Sequence, residues 1–298
     1  MVNTLKVAVA EFSNDNCSRM AAALAYYTAF SLAPLLILII TLCGFIWAPS
    51  EIQGALETEI KNVIGKDGAA QVKSMLENAT KPDKGVLASV LSGIMLFIGA
   101  TGVVGQLQSA LNEAWEVKPA PDEGGYWNFI SKRILSFGMI CGVAFLLLVS
   151  LVINSALAAA GGVIASSLPA GISETALKVI NIGAAVLIIS ILFAVMFKYL
   201  PDAEIQWSDV AVGAVLTAVL FVIGKFAIGA YLGSSNMEST YGAAGSFVLI
   251  MVWIYYSAMI FLFGAEFTQV WAKQRGTGIK PEEGAVRVVE KTENVSGG

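Results

Sequence analysis

Two ionisable residues, Lys225 and Glu266, lie within long apolar stretches of this sequence. A charged side chain in such a stretch is costly in a hydrocarbon layer, so it is expected to have a partner or a function. The chain contains no histidine, which removes the commonest general base and metal ligand. Its scattered cysteines, Cys17, Cys43 and Cys141, are expected to be unpaired. These residue types favour binding or passage of a ligand, and we expect no catalytic residues, no metal site and no cofactor.

The composition places these residues in a polytopic membrane protein. Hydrophobic residues make up 56% of the 298 residues and charged residues 13%, whereas a soluble domain carries about 25% charged residues. The net charge of -4 is small and is spread over the segments between apolar stretches. A nucleic-acid surface would need a concentrated basic patch, so we expect no nucleic-acid partner.

Six apolar stretches are long enough to cross a bilayer as helices, which takes about 20 residues each. The predicted spans are residues 20–47, 85–112, 134–160, 176–199, 209–231 and 241–271. The predicted fold class is therefore all-α, a bundle of six transmembrane helices within residues 20–273. Pro34 should kink the first span, because it removes a helix hydrogen bond. The glycines of the second span, Gly93, Gly99, Gly102 and Gly105, predict a face that approaches a neighbouring helix closely.

Three segments lie outside the predicted spans. Residues 1–19 contain a short apolar piece interrupted by Glu11, which is typical of a cytoplasmic interfacial segment. Residues 48–84 mix charges with apolar positions, which predicts an amphipathic helical cap outside the membrane, divided into two helices near Gly65 and Gly68. This cap could be merely solvated, or it could bind a partner or gate a substrate. Residues 274–298 lack an apolar stripe and are predicted to be a disordered cytoplasmic tail.

The distribution of basic residues predicts the orientation. An even number of spans puts both termini on one side, and placing them in the cytoplasm leaves most Lys and Arg residues near the span ends on that side. The five lysines of residues 48–84 are the evidence against this assignment. We therefore expect a multi-pass protein of a bacterial inner membrane with both termini cytoplasmic.

Polar residues are expected at two depths. Near the cytoplasmic ends, Glu266 should be ionised and held in a charge cluster by Arg19, Arg133 or Lys198. Lys225 should lie about 24 Å from the cytoplasmic start of the fifth span, at ~1.5 Å per residue, and so near the outer face. Two such tiers fit an alternating-access path, but ordinary interfacial anchoring gives the same pattern. Lys225 either extends to the outer interface or faces the interior and binds an anionic head group.

Five segments together resemble the YihY/BrkB family of bacterial inner-membrane proteins, formerly mislabelled ribonuclease BN. They are AAALAYYTAFSLAP in the first span, ALNEAW after the second, KYLPD after the fourth, Gly213 with Lys225 in the fifth, and YGAAGSFVLIMVWIYYSAMIFLFGAE in the sixth. The resemblance covers all six predicted spans. It implies a protein with no settled biochemical activity, for which transport of lipids or other envelope components has been proposed. No residue pattern supports a ribonuclease.

The resemblance also implies candidate site residues. The matching recurrent positions are Tyr27, Ser31, Pro34, Asn112, Pro201, Lys225, Tyr241, Gly242, Trp253, Tyr255 and Glu266. Among them, the predicted substrate-path residues are Tyr27, Ser31, Pro34, Asn112, Lys225, Tyr241, Tyr255 and Glu266. Asp202 and Glu204 stand where many family members have basic residues, which weakens an anionic-substrate site at this loop.

Three hypotheses for function remain. The leading one is a transporter or flippase-like carrier that moves a lipidic or amphipathic envelope component along the first, fifth and sixth spans, with membrane lipids as its partners. The second is a non-catalytic membrane scaffold for envelope assembly that uses residues 48–84 as its partner surface. The third, an intramembrane hydrolase with a serine–lysine pair, needs a serine facing Lys225 that the sequence does not specify.

Overall fold

The computed structural model describes residues 1–45, 48–79, 86–120, 134–142, 144–145, 170–234 and 245–288. Its main helices are α1 (Val2–Asn14), α2 (Cys17–Cys43), α3 (Pro49–Ala79), α4 (Val86–Ala114), α5 (Ala170–Tyr199), α6 (Trp207–Ser234) and α7 (Gly245–Arg275). Its short strands are β1 (Val117–Pro119), β2 (Ala203–Glu204), β3 (Lys280–Pro281) and β4 (Ala285–Arg287). Residues 134–142 are also helical.

Five helical segments are long and apolar enough to cross a membrane, by length and composition, within the described residues. They are Cys17–Cys43, Gly93–Ala114, Ile182–Tyr199, Trp207–Ile228 and Phe247–Arg275. These segments correspond to the first, second, fourth, fifth and sixth predicted spans. Most of the third predicted span, 134–160, lies outside the described residues, so the total of six stays a prediction.

Helix α7 lies at the centre of the described bundle, in contact with α1, α2, α3, α4 and α6. Aromatic packing extends this core to α5, where the rings of Phe261 and Phe197 have centroids 5.3 Å apart. Residues on several faces of α7 are fully buried, among them Leu262, Ala265 and Phe267. Contact with so many neighbours explains why this helix is apolar around most of its circumference.

Helices α6 and α7 interlock through two glycine–threonine pairs. A Cβ at Gly213 would collide with the side chain of Thr268, and a Cβ at Gly264 would collide with that of Thr217. Each threonine hydroxyl donates to a carbonyl of its own helix, Thr217 to Gly213 at 2.7 Å and Thr268 to Gly264 at 2.6 Å. The hydroxyls therefore need no partner across the interface, and the glycines allow the close approach.

In the second predicted span, one of the four glycines makes a close contact with a neighbouring helix. Gly99 faces the ring of Pro34, and a Cβ there would lie 3.1 Å from Pro34 Cγ. Gly93, Gly102 and Gly105 have no described residue within 4 Å of an added Cβ. Among the described residues the predicted close approach is therefore seen at Gly99, and for the other three glycines it stays a prediction. Helix α2 is continuous through Pro34, whose ring fills the space above Gly99.

Helix α3 folds back on itself within its range Pro49–Ala79. Lys73 Nζ lies 3.5 Å from Glu57 Oε2, whereas 16 residues of straight helix would separate them by about 24 Å. The apolar side chains of the two halves, with Ile60, Val72 and Leu76, pack in one cluster with α2 and α7. The chain must therefore reverse between Glu57 and Lys73. Whether α3 lies outside the membrane stays a prediction.

The segment after α7 is ordered where the sequence predicts disorder. Strand β4 pairs antiparallel with β1, and β3 pairs antiparallel with β2. The prediction of a disordered tail over 274–298 is therefore wrong for 280–287, and residues 289–298 lie outside the described part. Three glycines with positive φ turn the chain back: Gly276, Gly278 and Gly284. Such turns let a polar tail satisfy the backbone groups of neighbouring loops, which a search for apolar stripes does not detect.

The strands gather at the end of the bundle where α4, α5 and α7 end, which we call the strand end. Helix α1 packs there along α7, and Ala8 is fully buried beside Phe267 and Val270. Thr4 Oγ1 also donates to Gln274 Oε1 at 2.7 Å. The predicted interfacial segment is therefore part of the packed core at this end.

Candidate functional site

A polar cavity opens at the strand end, between the α1–α2 junction and the end of α4. Its residues are mostly charged or amide side chains: Asn14, Asp15, Asn16, Arg19, Asn112, Glu113, Glu116, Val117, Lys118 and Val288. Its volume is about 270 Å³. A cavity of this polarity suits water, ions or a polar head group more than an apolar chain.

Two left-handed residues shape the walls of this polar cavity. Asn16, with φ 53°, lies between α1 and α2, and Glu116, with φ 56°, lies between α4 and β1. Asparagine tolerates this conformation better than most residues, whereas glutamate does so less readily. Strand pairing holds the second turn, because the N–H of Val288 donates to the carbonyl of Glu116 at 2.7 Å.

Asn112, a predicted substrate-path residue, binds the turn after α5. Its Nδ2 donates to Asp202 Oδ2 at 2.7 Å, and its Oδ1 accepts from the Asp202 N–H at 2.8 Å. Gln108, one helical turn earlier, donates to Asp202 Oδ1 at 3.0 Å. The carboxylate of Asp202 thus joins the turn after α5 to α4.

Glu266 of α7 is fully buried and does not itself line the polar cavity. Cys17 Sγ lies 3.5 Å from Glu266 Oε1 and donates to it, whereas Oε2 has no hydrogen-bond partner among the described residues. The side chain of Asp15, which also lines the cavity, shares a hydrogen bond with Glu266. The buried carboxyl therefore has a second carboxyl and a thiol as ionisable neighbours.

Burial raises the pKa of Asp15 above its ordinary value of 3.8. The hydrogen bond to Glu266 lowers this pKa in part, while the carboxylates of Glu11 and Glu116 raise it further. Lys273 is the cation that opposes them. The environment of Asp15 thus favours its protonated form on balance.

The predicted charge cluster around Glu266 is wrong for Arg19 and Lys198. Arg19 forms an exposed ion pair with Glu113 at 3.5 Å, and Lys198 Nζ donates to the carbonyl of Ile205 at 2.7 Å. Arg19 follows Cys17 by two residues, about 200° around the helix, so it points away from the face that covers Glu266. Arg133, the third predicted partner, lies outside the described residues.

An amphipathic groove lies between α2 and the two halves of α3. Apolar side chains form most of its wall, and the Glu57–Lys73 ion pair lies on it. Its volume is about 450 Å³. The lining residues are Ile37, Ile40, Thr41, Ser50, Gln53, Gly54, Leu56, Glu57, Ile60, Ala69, Val72, Lys73, Leu76 and Glu77.

Tyr27, Ser31, Lys225 and Tyr255 are not among the residues that line these two cavities. Tyr27 is exposed on α2, where its ring packs edge-on against Tyr26, and Ser31 is partly buried one turn later. Tyr255 packs at the edge of the main core, and Lys225 is partly exposed. Tyr241 lies outside the described residues. Asn112 is thus the one described path residue that lines either cavity, and the role of the others as a path stays a prediction.

Sequence reasoning missed a second buried acid, Asp209. It is fully buried in the first turn of α6, with Arg275 Nη1 at 3.7 Å from its Oδ1. Thr277 Oγ1 donates to Asp209 Oδ2 at 2.7 Å. The helix dipole favours an acid in the first turn of a helix. The position of Asp209 near the start of α6 was therefore the one sequence feature that could have indicated it. The partners lie 66 or more residues away in sequence, so no local pattern indicated them.

The long apolar helices, the strand end and the two cavities define a multi-pass α-helical membrane protein. A sequence profile of the family described as Virulence factor BrkB matches residues 8–288. The chain therefore belongs to the BrkB family, which confirms the resemblance drawn from its sequence motifs.

Curated relatives are named as UPF0761 membrane proteins. One from Rhodospirillum centenum is 26% identical over 291 residues, covering 94% of this chain and 61% of the relative. One from Methylibium petroleiphilum is 27% identical over 269 residues, covering 89% and 61%. One from Tolumonas auensis is 26% identical over 267 residues, covering 86% and 80%. The chain thus spans 61% of the length of the first two relatives. No solved structure matches the chain.

Proposed function

We propose that this protein is a carrier in a bacterial inner membrane that moves a lipidic or amphipathic envelope component in the manner of a transporter or flippase. The observation that carries the proposal is the amphipathic groove between α2 and α3. The proposal assigns no catalytic step and no cofactor to the chain.

The groove combines the two kinds of surface that such a substrate needs. Ile37 and Ile40 of α2 face Ile60, Val72 and Leu76 of α3, and together they offer an apolar wall. The ion pair between Lys73 and Glu57 supplies both signs of charge at 3.5 Å. The volume of about 450 Å³ falls within the range of about 300–1,000 Å³ common for ligand pockets. A molecule with an acyl chain and a charged head group is complementary to such a wall.

The proposed orientation puts this groove near the outer face and the strand end in the cytoplasm. Substituted-cysteine labelling at Lys66, which is exposed on α3, tests this after Cys17, Cys43 and Cys141 are replaced. An impermeant thiol reagent should label Lys66→Cys in intact spheroplasts. Labelling only after permeabilisation would invert the orientation.

Lipid movement is tested in liposomes of phosphatidylethanolamine and phosphatidylglycerol that contain a fluorescent NBD-phosphatidylethanolamine. Dithionite bleaches outer-leaflet fluorophores, so protein-dependent loss of the inner pool reports transbilayer movement. A Cβ at Gly54, on the groove wall, meets nothing within 4 Å, so Gly54→Leu should fill the groove without a backbone clash. We expect Gly54→Leu to slow bleaching of the inner pool at least several-fold.

Gly93→Leu is the matched control. Gly93 also has open space around an added Cβ, and it lies on α4 away from the groove lining. Equal bleaching for both variants and the unmodified chain would remove the groove from the mechanism. Absence of any protein-dependent bleaching would leave this probe outside the substrate range and favour the second candidate below.

The second candidate is a non-catalytic scaffold for envelope assembly. It is supported by the charged, exposed residues of α3 that face away from the bundle, among them Glu51, Lys61 and Lys66. If the scaffold role is right, reversing these three charges together should abolish crosslinking of a partner at α3. If the carrier role is right, the same change should leave lipid movement unchanged.

A further inference from the structure

The contact between Asp15 and Glu266 joins the α1–α2 junction to the C-terminal third of α7. Glu266 is fully buried and its Oε2 has no hydrogen-bond donor among the described residues. Asp15 is half-buried, reaches Glu266, and lines the polar cavity on its other side. One carboxyl is therefore shielded from water, and the other connects it to the cavity.

The charges around the pair have both signs. Glu11 of α1 acts on both carboxyls, and Glu116 acts on Asp15. Cys17 of α2 is in contact with Glu266 as a thiol donor, and Glu113 of α4 acts electrostatically on that thiol. The nearby cations among the described residues are Lys273 of α7, which acts on Asp15, Arg19, whose ion pair is with Glu113, and Lys118, which lines the polar cavity.

When two carboxyls are in contact and one of them is buried, one of the two keeps its proton to a higher pH than an ordinary carboxyl, unless a cation binds the pair directly. The missing donor to Glu266 Oε2 is supplied if one carboxyl of the pair carries a proton. The raised pKa of Asp15 agrees with this arrangement, and the polar cavity provides a route for the proton from solvent.

We propose that Asp15 and Glu266 form a proton-binding site that takes one proton from the polar cavity, and that this proton is the coupling ion of the carrier. Binding changes the charge of the pair from -2 to -1, and no other bond forms or breaks. With the proton, the α1–α2 junction is held against α7; without it, the two carboxylates repel and the junction separates from α7. The coupling role rests on the proposed carrier function, whereas the proton site does not.

Infrared difference spectroscopy tests the proton site without any transport assay. The full chain is reconstituted in phosphatidylethanolamine and phosphatidylglycerol liposomes, and its spectrum is recorded at neutral and alkaline pH. We expect a carbonyl-stretch band of a protonated carboxyl at neutral pH that disappears at alkaline pH. Glu266→Gln and Asp15→Asn should each remove this band, because each leaves a single carboxyl with an amide donor beside it.

Glu113→Gln is the matched control, since Glu113 lines the same cavity but pairs with Arg19; its spectrum should keep the band. Asp15 lies in the half-exposed junction between helices, so Asp15→Asn still decides the question if Glu266→Gln does not fold. A band that persists in Asp15→Asn, or no pH-dependent carboxyl band in the unmodified chain, overturns the proton site.

The coupling role is tested with the NBD-phosphatidylethanolamine liposomes under an imposed pH gradient. We expect the gradient to speed bleaching of the inner pool for the unmodified chain and to have no effect with Asp15→Asn. If the pH gradient does not change the rate of lipid movement in either chain, the coupling role is overturned. Absence of any lipid movement, with the infrared band present, would refute the carrier function together with the coupling role and leave the proton site supported.

Discussion

Asn112 and Asp202 bind each other in both directions, with the Asn112 amide donating to the carboxylate at 2.7 Å and accepting from the Asp202 N–H at 2.8 Å. The pair joins the end of α4 to the turn after α5, and both residues belong to segments that carry the family resemblance. One side-chain amide can bind both the carboxylate and the backbone N–H of the same residue only when the two chain segments are held at a fixed distance. The pair therefore fixes the spacing of α4 and α5 at the strand end.

Asn112→Ala should destabilise this end of the bundle. The change removes both bonds and leaves the Asp202 N–H without its partner, and an unsatisfied buried polar group costs about 1–3 kcal/mol. We expect a lower free energy of unfolding in detergent titration and a lower melting temperature. Asn3→Ala, at an exposed position of α1, is the control and should behave like the unmodified chain. Equal stability of the two variants would contradict the role of the pair.

The sequence was sufficient to predict the spans that apolar length defines. Helix α7 was predicted at 241–271 and is observed at Gly245–Arg275, because a long apolar run has no alternative to a helix in a bilayer. The same reasoning missed the partners of Glu266, because which face of α2 covers α7 depends on packing between residues 249 positions apart. It also missed the pairing of β3 with β2 and of β4 with β1, since a two- or three-residue strand has no periodicity to detect.

Gly213→Ala should destabilise the interface between α6 and α7. The added Cβ would collide with Thr268 Oγ1, and overpacking of this kind typically costs about 1–3 kcal/mol. The free energy of unfolding should fall by that amount. Adding Thr268→Gly, which removes the colliding atoms, should restore part of the loss, so the two changes should be non-additive.

Gly105→Ala is the matched control for that substitution. Gly105 also lies within a helix, but a Cβ there meets nothing within 4 Å, and alanine is the better helix former. Its stability should equal or exceed that of the unmodified chain. A loss at Gly105 as large as that at Gly213 would show that helix glycines matter here for backbone flexibility and not for the contact with Thr268.

Glu57→Cys with Lys73→Cys tests the reversal of α3. The two side chains meet at 3.5 Å, so a short bifunctional thiol reagent should join them in a chain whose own cysteines are replaced. Tyr26→Cys with Leu42→Cys has the same spacing of 16 residues within α2, where straight-helix geometry gives about 24 Å, and should not react. The intramolecular link is detected as a mass shift of the peptide bridged by the reagent. Equal yields in the two pairs would contradict the reversal.

Asp15 should make the stability of the protein depend on pH. Burial raises its pKa above the ordinary value of 3.8, so the folded chain holds this proton more tightly than the unfolded chain. The stabilisation is fully present below pH 3.8 and is lost as the pH rises through the folded-state pKa. We expect the free energy of unfolding to contain a component that falls with rising pH, and Asp15→Asn, which cannot titrate, to lack it. Detergent unfolding of both chains from acid to alkaline pH measures the difference, with Glu51→Gln on the exposed surface of α3 as the control that should keep the component. If the profile of Asp15→Asn runs parallel to that of the unmodified chain, the proton is held elsewhere.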